Sequence, residues 1–215
     1  YDRILLNWTP YITLRDLHIK QMIGLEKVLD LCAGTGNVTM GLSANKSDVF
    51  AVDINEAMLG HIQLKKEQSD PQIKKYLHIA KMNAEMLGFK EDSFDGVTAM
   101  NAIYNLKSPI DSISEVYRTI REGGIFCMSG PLKIANPDSL ADNIHEEMKE
   151  KKLDTPRVID AIEEMRRINR HLVSNATLYD ADSLCKILKA SGFKEIIFAD
   201  NTPYLGNAYF VAVRK

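Results

Sequence analysis

Two carboxylates, Asp30 and Asp53, each close a short apolar run, Val28-Leu29 and Ala51-Val52, and the glycine pair Gly34 and Gly36 lies just after the first of them. An acid at the tip of a buried strand accepts hydrogen bonds from ribose hydroxyls. Glycines let the backbone turn tightly and approach a ligand with no Cβ in the way. Together these residues point to a nucleoside-bearing ligand. The glycine count then separates two kinds of ligand. A pyrophosphate site uses G-x-G-x-x-G, and counting from Gly34 this chain has Thr39 at the third glycine position. Asp30 beside the loop would repel phosphate, whereas it could pair with an ammonium group.

S-adenosyl-L-methionine carries an α-amino group, a ribose and a sulfonium cation and no phosphate, so the two acids suit it better than a dinucleotide. Asp30-Leu31-Cys32-Ala33-Gly34-Thr35-Gly36 resembles the first motif of the class I S-adenosylmethionine-dependent methyltransferases, acidic-x-Gly-x-Gly-x-Gly, with Cys32 in place of its first glycine. Asn83-Ala84-Glu85 is similar to the third motif, with Asn83 where Asp is more usual. Phe94 to Asn101 resembles the fourth, and Arg121-Glu122-Gly123-Gly124-Ile125-Phe126 the turn into the fifth strand, so the likeness runs in order from about Glu26 to Pro131. Small-molecule members related to ubiquinone and menaquinone biosynthesis methyltransferases have similar sequences. The resemblance implies that Asp30, Cys32, Ala33, Gly34 and Gly36 form the cofactor loop, that Asp53 holds the ribose, and that Ile54 lies against adenine. It also implies that Asn83, Ala84 and Glu85 read the adenine edge, and that Met58, Met100 and Asn101 complete the cofactor site, with S-adenosyl-L-homocysteine as the product.

Such a site needs a sheet to hold it. Apolar strand runs alternate with helical patterns, which predicts a Rossmann-like, doubly wound α/β fold. Strands are expected at 27–31, 48–52, 76–80, 94–99 and 123–129, then at 194–198 and 208–213; the resemblance makes the sheet seven-stranded and mostly parallel, with the last strand antiparallel. Asn55 caps a helix bearing Met58, Leu59 and Ile62; Ile110, Ile113, Val116 and Ile120 mark a second; Asp180 starts a third, with Leu184, Ile187 and Leu188, that Gly192 ends. One domain is expected over 1–215: an N-terminal lid segment at 1–23 with a helix from Thr13, a cofactor-binding core at 24–131, a helical substrate lid at 136–175, and a C-terminal helix and strands at 176–215. The alternative is that the two extra segments only extend the core.

Composition narrows the partners. Twenty-seven basic against 29 acidic residues leave a formal charge of -2, which gives no bulk attraction to nucleic acid or anionic lipid. Three cysteines without metal-type spacing argue against a disulfide scaffold or structural zinc and point to a reducing, cytoplasmic setting. No apolar run approaches the roughly 20 residues of a membrane span. The chain opens on Tyr1 and not on methionine, which leaves open what precedes it.

Methyl transfer asks for alignment and exclusion of water more than for a catalytic triad. No catalytic residue is fixed. Tyr104 is a candidate for catalysis or substrate contact, Tyr11 for substrate contact, Tyr1 and Tyr11 for closing over the methionine end, and the lid histidines His145 and His171 for a general base. His18, His61 and His78 read as ordinary helix or strand residues, Cys32 as a small buried residue, and Cys127 and Cys185 as core. Arg166, Arg167 and Arg170 alternate with glutamates, as on a solvated helix face. No metal site is expected, since Asp95 alone is insufficient. The function expected is methyl transfer to a small-molecule acceptor, with carbon or oxygen methylation of a hydrophobic metabolite favoured by the resemblance. A nucleic-acid methyltransferase and a cofactor-binding protein without methyl transfer are the alternatives, and oligomeric state is open.

Overall fold

The computed structural model describes residues 2–215; Tyr1 lies outside them. Seven strands form one sheet in the order β3-β2-β1-β4-β5-β7-β6: β1 (Lys27–Leu31), β2 (Asp48–Asp53), β3 (Leu77–Lys81), β4 (Phe94–Ala99), β5 (Ile120–Pro131), β6 (Glu195–Asp200) and β7 (Ala208–Arg214). The first five pair in parallel, while β7 runs antiparallel to both β5 and β6. β1 and β4 are neighbours although two strands separate them in sequence, so the winding reverses there. A crevice opens at their carboxyl ends, where ligands of open α/β sheets bind. The central strands are buried on both faces, which is why β4 is buried along its whole length and β1 nearly so.

The helices are α1 (Asp2–Leu5), α2 (Thr9–Gln21), α3 (Asn37–Ala44), α4 (Glu56–Glu67), α5 (Pro71–Tyr76), α6 (Pro109–Thr119), α7 (Pro137–Glu150), α8 (Pro156–Asn175) and α9 (Ala181–Ala190). Asn55, Ser108, Asn136 and Asp180 cap α4, α6, α7 and α9 with their side chains. α2 starts four residues earlier than the expected Thr13, because Pro10 falls in the first turn, where a missing N–H costs nothing. Ile120, expected on the face of α6, is instead the first residue of β5. It pairs with Phe94, and Gly96 pairs next with Ile125, so Arg121–Gly124 bulge out of the ladder. The expected helical stretch at 136–175 is two helices, broken where Lys152 takes φ 56.

Apolar cores cover the two faces of the sheet. A third core lies apart from it: Ile4, Leu5, Trp8 and Tyr11 of the N-terminal segment pack against Ile144 and Met148 of α7 and Ile162 and Met165 of α8. Trp8 Nε1 donates to Asn143 Oδ1 over 2.8 Å, and the backbone N–H of Thr9 donates to Glu147 at 3.0 Å. The N-terminal segment and α7–α8 are thus one packed body above the sheet's carboxyl edge. Among the described residues, no helix is long and apolar enough to cross a membrane.

Candidate active site

β1 delivers Asp30 to the crevice and then turns through Cys32-Ala33-Gly34-Thr35-Gly36 into α3. The turn needs left-handed backbone at three places, Cys32 (φ 55), Gly34 (φ 55) and Gly36 (φ 83). A Cβ on Gly36 would stand 2.8 Å from Ile62, so that position admits no side chain; a Cβ on Gly34 would meet nothing within 4 Å, leaving its backbone open to a ligand. At the end of β2, Asp53 braces the turn from the side: Oδ2 accepts the Gly34 N–H and Oδ1 the Asn55 N–H, both at 2.9 Å.

Asp30 is buried, and its Oδ2 accepts the Thr39 hydroxyl proton. The position that would be glycine in a pyrophosphate turn therefore holds a donor to the carboxylate. Burial raises the Asp30 carboxyl to about 7 against the opposing Thr39 hydrogen bonds, and the Asp53 charge adds to the rise. A cation placed beside it would reverse that rise. Burial pushes the Cys32 thiol up to about 12, consistent with a packed side chain and not a nucleophile.

A cavity of about 420 Å³ opens over this loop, lined by Asp30, Cys32, Ala33 and Gly34 below and by Met58, His61, Met100 and Asn101 at its sides. A second cavity, about 280 Å³, lies between the sheet edge and the lid body. Its wall is mostly apolar, with Trp8, Leu140, Ile144, Met165, Ile168 and Tyr204 prominent; its polar side chains are amides and phenols, and among the described residues no charged one lines it. Leu5, Tyr11 and Asn101 line both cavities and mark their junction.

The N-terminal segment is fastened across the first cavity. Asp2 accepts the Thr35 hydroxyl at 2.7 Å and the Asn37 amide at 3.1 Å, and pairs with Lys65 on α4 at 2.5 Å. Asn37 also donates to the Tyr11 hydroxyl at 2.9 Å. Burial alone would raise the Asp2 carboxyl, but Lys65 and the Thr35 hydroxyl hold it below the usual carboxylate range.

The expected site residues divide by position. Asp30, Cys32, Ala33, Gly34, Met58, Met100 and Asn101 line the first cavity; Gly36 turns the loop into α3. Asp53, Ile54, Asn83, Ala84 and Glu85 stand at the neighbouring ends of β2 and β3, outside the enclosed volume. Ile54 is 63% exposed there, an uncovered apolar surface. Asn83 Oδ1 accepts the Glu85 N–H at 3.0 Å, and Glu85 Oε1 accepts the Ser108 N–H at 2.7 Å, which joins this edge to the start of α6. Tyr11 and Tyr104 both line the second cavity. His171 reaches a shallow side pocket beside Tyr104, whereas His145 lines neither main cavity. Tyr1 falls outside the described residues. His18 and His61 lie on helices α2 and α4, as expected, but have more specific surroundings: His61 lines the first cavity, one turn along α4 from Met58, and His18 is fully buried against Thr98 and Ser129. The i, i+3 spacing from Met58 could have exposed His61. No local signal marks His18, because its partners lie on distant strands.

Residues 29–128 match the methyltransferase domain family. The chain is 33% identical over 99 residues to a demethylmenaquinone methyltransferase from Clavibacter sepedonicus, an alignment covering 46% of this chain and 38% of that protein. The chain spans under half the length of several curated relatives it matches. Among solved structures, the [4+2]-cyclase SpnF shares the fold with a TM-score of 0.69 at 14% identity, covering 95% of this chain and 80% of that one. A methyltransferase from Thermotoga maritima gives 0.66 at 16% identity, covering 100% and 94%. With the glycine turn, the two strand-end acids and the reversed winding at β1 and β4, the chain is similar to methyltransferase domains over residues 29–128 and shares the fold of solved methyltransferases.

Proposed function

We propose that this chain binds S-adenosyl-L-methionine over the β1–α3 loop and transfers its methyl group to a small, uncharged acceptor held in the apolar cavity. The observation that carries this reading is the junction: a loop cavity and an apolar cavity share a wall at Leu5, Tyr11 and Asn101. A methyl group must cross between donor and acceptor at such a boundary, out of reach of water.

The residues present fit the cofactor. Asp53 spends one lone pair of each oxygen on backbone N–H groups and keeps others for the two ribose hydroxyls. Ile54 offers one apolar face to adenine, and Asn83, Ala84 and Glu85 flank its edge. The open backbone at Gly34 and the Asp30 carboxylate suit the α-amino end, with Cys32, Ala33, Gly36, Met58, Met100 and Asn101 completing the enclosure. When bound, the sulfonium supplies an electrophilic methyl carbon. The protein's share is to hold the acceptor in line and keep water out, with Tyr11 on the donor side and Tyr104 on the acceptor side. The N-terminal segment and α7–α8 serve as the lid that selects the acceptor within one catalytic domain.

The relative's name gives demethylmenaquinone as what it methylates, and the amides, phenols and apolar side chains of the second cavity favour an acceptor of low polarity over an amine or an anion. The three free thiols support a reducing, cytoplasmic setting.

Calorimetric titration with S-adenosyl-L-methionine, S-adenosyl-L-homocysteine and NAD tests the reading. Binding of both sulfur compounds and none of NAD is expected. Asp53→Ala should weaken that binding by about 10- to 100-fold, the worth of charge-assisted hydrogen bonds. Unchanged affinity would remove the ribose assignment. Release of S-adenosyl-L-homocysteine across a panel of neutral metabolites then separates methyl transfer from binding alone.

A further inference from the structure

A continuous file of hydrogen bonds begins under the sheet edge and ends at the junction of the two cavities. The Cys127 thiol donates to Thr98 Oγ1 over 3.4 Å, and Thr98 Oγ1 lies 2.7 Å from His18 Nδ1. His18 Nε2 lies 2.9 Å from Ser129 Oγ. Ser129 Oγ donates to Asn101 Oδ1 over 3.4 Å and accepts the Asn101 backbone N–H at 3.2 Å. Asn101 Nδ2 donates to the Tyr204 hydroxyl over 2.8 Å.

With Asn101 Nδ2 directed at Tyr204 and the Ser129 hydroxyl proton directed at Asn101 Oδ1, the sense of every other bond follows. A hydroxyl has one proton and two lone pairs. Ser129 gives its proton to Asn101 Oδ1 and one lone pair to the Asn101 N–H, so its second lone pair takes a proton from His18 Nε2. Nδ1 is then the acceptor, and Thr98 donates to it while accepting the thiol proton. Burial pushes His18 down to about 3, so the ring stays neutral with the single proton this arrangement needs. Asn101 is held in left-handed backbone, φ 53, at the end of the file. One lone pair of its carbonyl oxygen and one amide proton are committed; its second amide proton has no partner among the described residues. Asn101 lines both cavities.

We propose that Asn101 offers this second N–H to a hydrogen-bond-accepting oxygen of the methyl acceptor, a carbonyl, enolate or phenolate, and that His18 is the positioning residue that fixes the amide this way round through Ser129. The inference rests on the methyl-transfer reading and adds to it the sense of the polar contact. An acceptor that presents an N–H donor opposite this amide proton meets a donor and makes no hydrogen bond with it.

Three measurements on the full chain decide it. Nitrogen-15 NMR of labelled imidazole at neutral pH should show His18 as the Nε2–H tautomer; the Nδ1–H tautomer overturns the direction of the file. Calorimetry with two probes of matched shape, 2-acetylnaphthalene and 2-isopropenylnaphthalene, should show the ketone binding roughly three- to tenfold tighter, the worth of one neutral hydrogen bond. Equal affinities, or no binding of either probe, overturn the proposal. Ser129→Ala should abolish the ketone preference, and retention of the preference counts against it. His18→Gln, whose amide nitrogen replaces the Nε2 donor, should keep the preference and His18→Leu should lose it; if His18→Leu does not fold, Ser129→Ala carries the comparison. Probe titrations run with and without S-adenosyl-L-homocysteine keep the two readings apart. A chain that binds the ketone selectively but never the sulfur cofactor loses the methyl-transfer reading and keeps the oxygen contact.

Discussion

Cys32 occupies left-handed backbone, a conformation that disfavours residues bearing a Cβ by about 1–2 kcal/mol. Related loops answer that demand with glycine; here a small side chain carries the strain and packs partly into the core. Cys32→Gly should therefore leave stability within about 0.5 kcal/mol of the parent, relief of strain offsetting lost packing and added unfolded-state entropy. Cys32→Val should cost about 1–2 kcal/mol, since branching at Cβ worsens the same clash. Urea denaturation of both variants checks the pair. Asp30, Gly34, Gly36 and Asp53 were legible in the sequence because one turn and one strand end set their spacing. The special backbone of Cys32 showed only as a departure from the motif. His18, Thr98, Ser129 and Asn101 could not be connected from sequence, since 80 and 111 positions separate His18 from its two ring partners and only strand adjacency joins them.

The short helix α1 was invisible to periodicity, because four residues make too little of a pattern. It nonetheless places Asp2 on Thr35, Asn37 and Lys65, so a segment far from the sheet in sequence closes on the cofactor turn. Asp2→Ala should release that fastening. Because the ion pair is partly buried and shared with two neutral donors, its loss should speed dissociation of S-adenosyl-L-homocysteine by about 3- to 30-fold, equivalent to about 0.7–2 kcal/mol. Stopped-flow fluorescence can read this from Trp8, the chain's one tryptophan, which packs against Tyr204 at 4.9 Å between ring centroids. An unchanged dissociation rate would show that the fastening does not hold the product. The strands were easier to foresee than the helix ends, because buried parallel strands are uninterrupted apolar runs, whereas Pro10 and the bulge at Arg121–Gly124 shift boundaries without changing the pattern.

His18 and Asp30 are buried groups whose contributions to the acid response oppose each other. His18 stands at about 3 when folded against 6.5 in its ordinary state, so the stability it contributes is present above pH 6.5 and is lost as pH falls toward 3. Asp30 stands at about 7 against 3.8, so its contribution is present below 3.8 and is lost as pH rises toward 7. Between about pH 4 and 6.5 the two slopes oppose each other. Stability of the ligand-free protein should vary little across that window; Asp30→Asn should make it rise with pH, and His18→Gln should make it fall. Chemical denaturation at half-unit pH steps checks both signs.

The third core has a consequence for how such a protein diversifies. Residues that shape the apolar cavity come from two stretches distant in the chain, the N-terminal segment and α7–α8, and each covers the apolar face of the other. Neither stretch can be exchanged with a related enzyme alone without stranding a greasy surface on its counterpart. If the chain transfers methyl groups as proposed, a chimera should gain a new acceptor only when both stretches are grafted together onto an unchanged sheet.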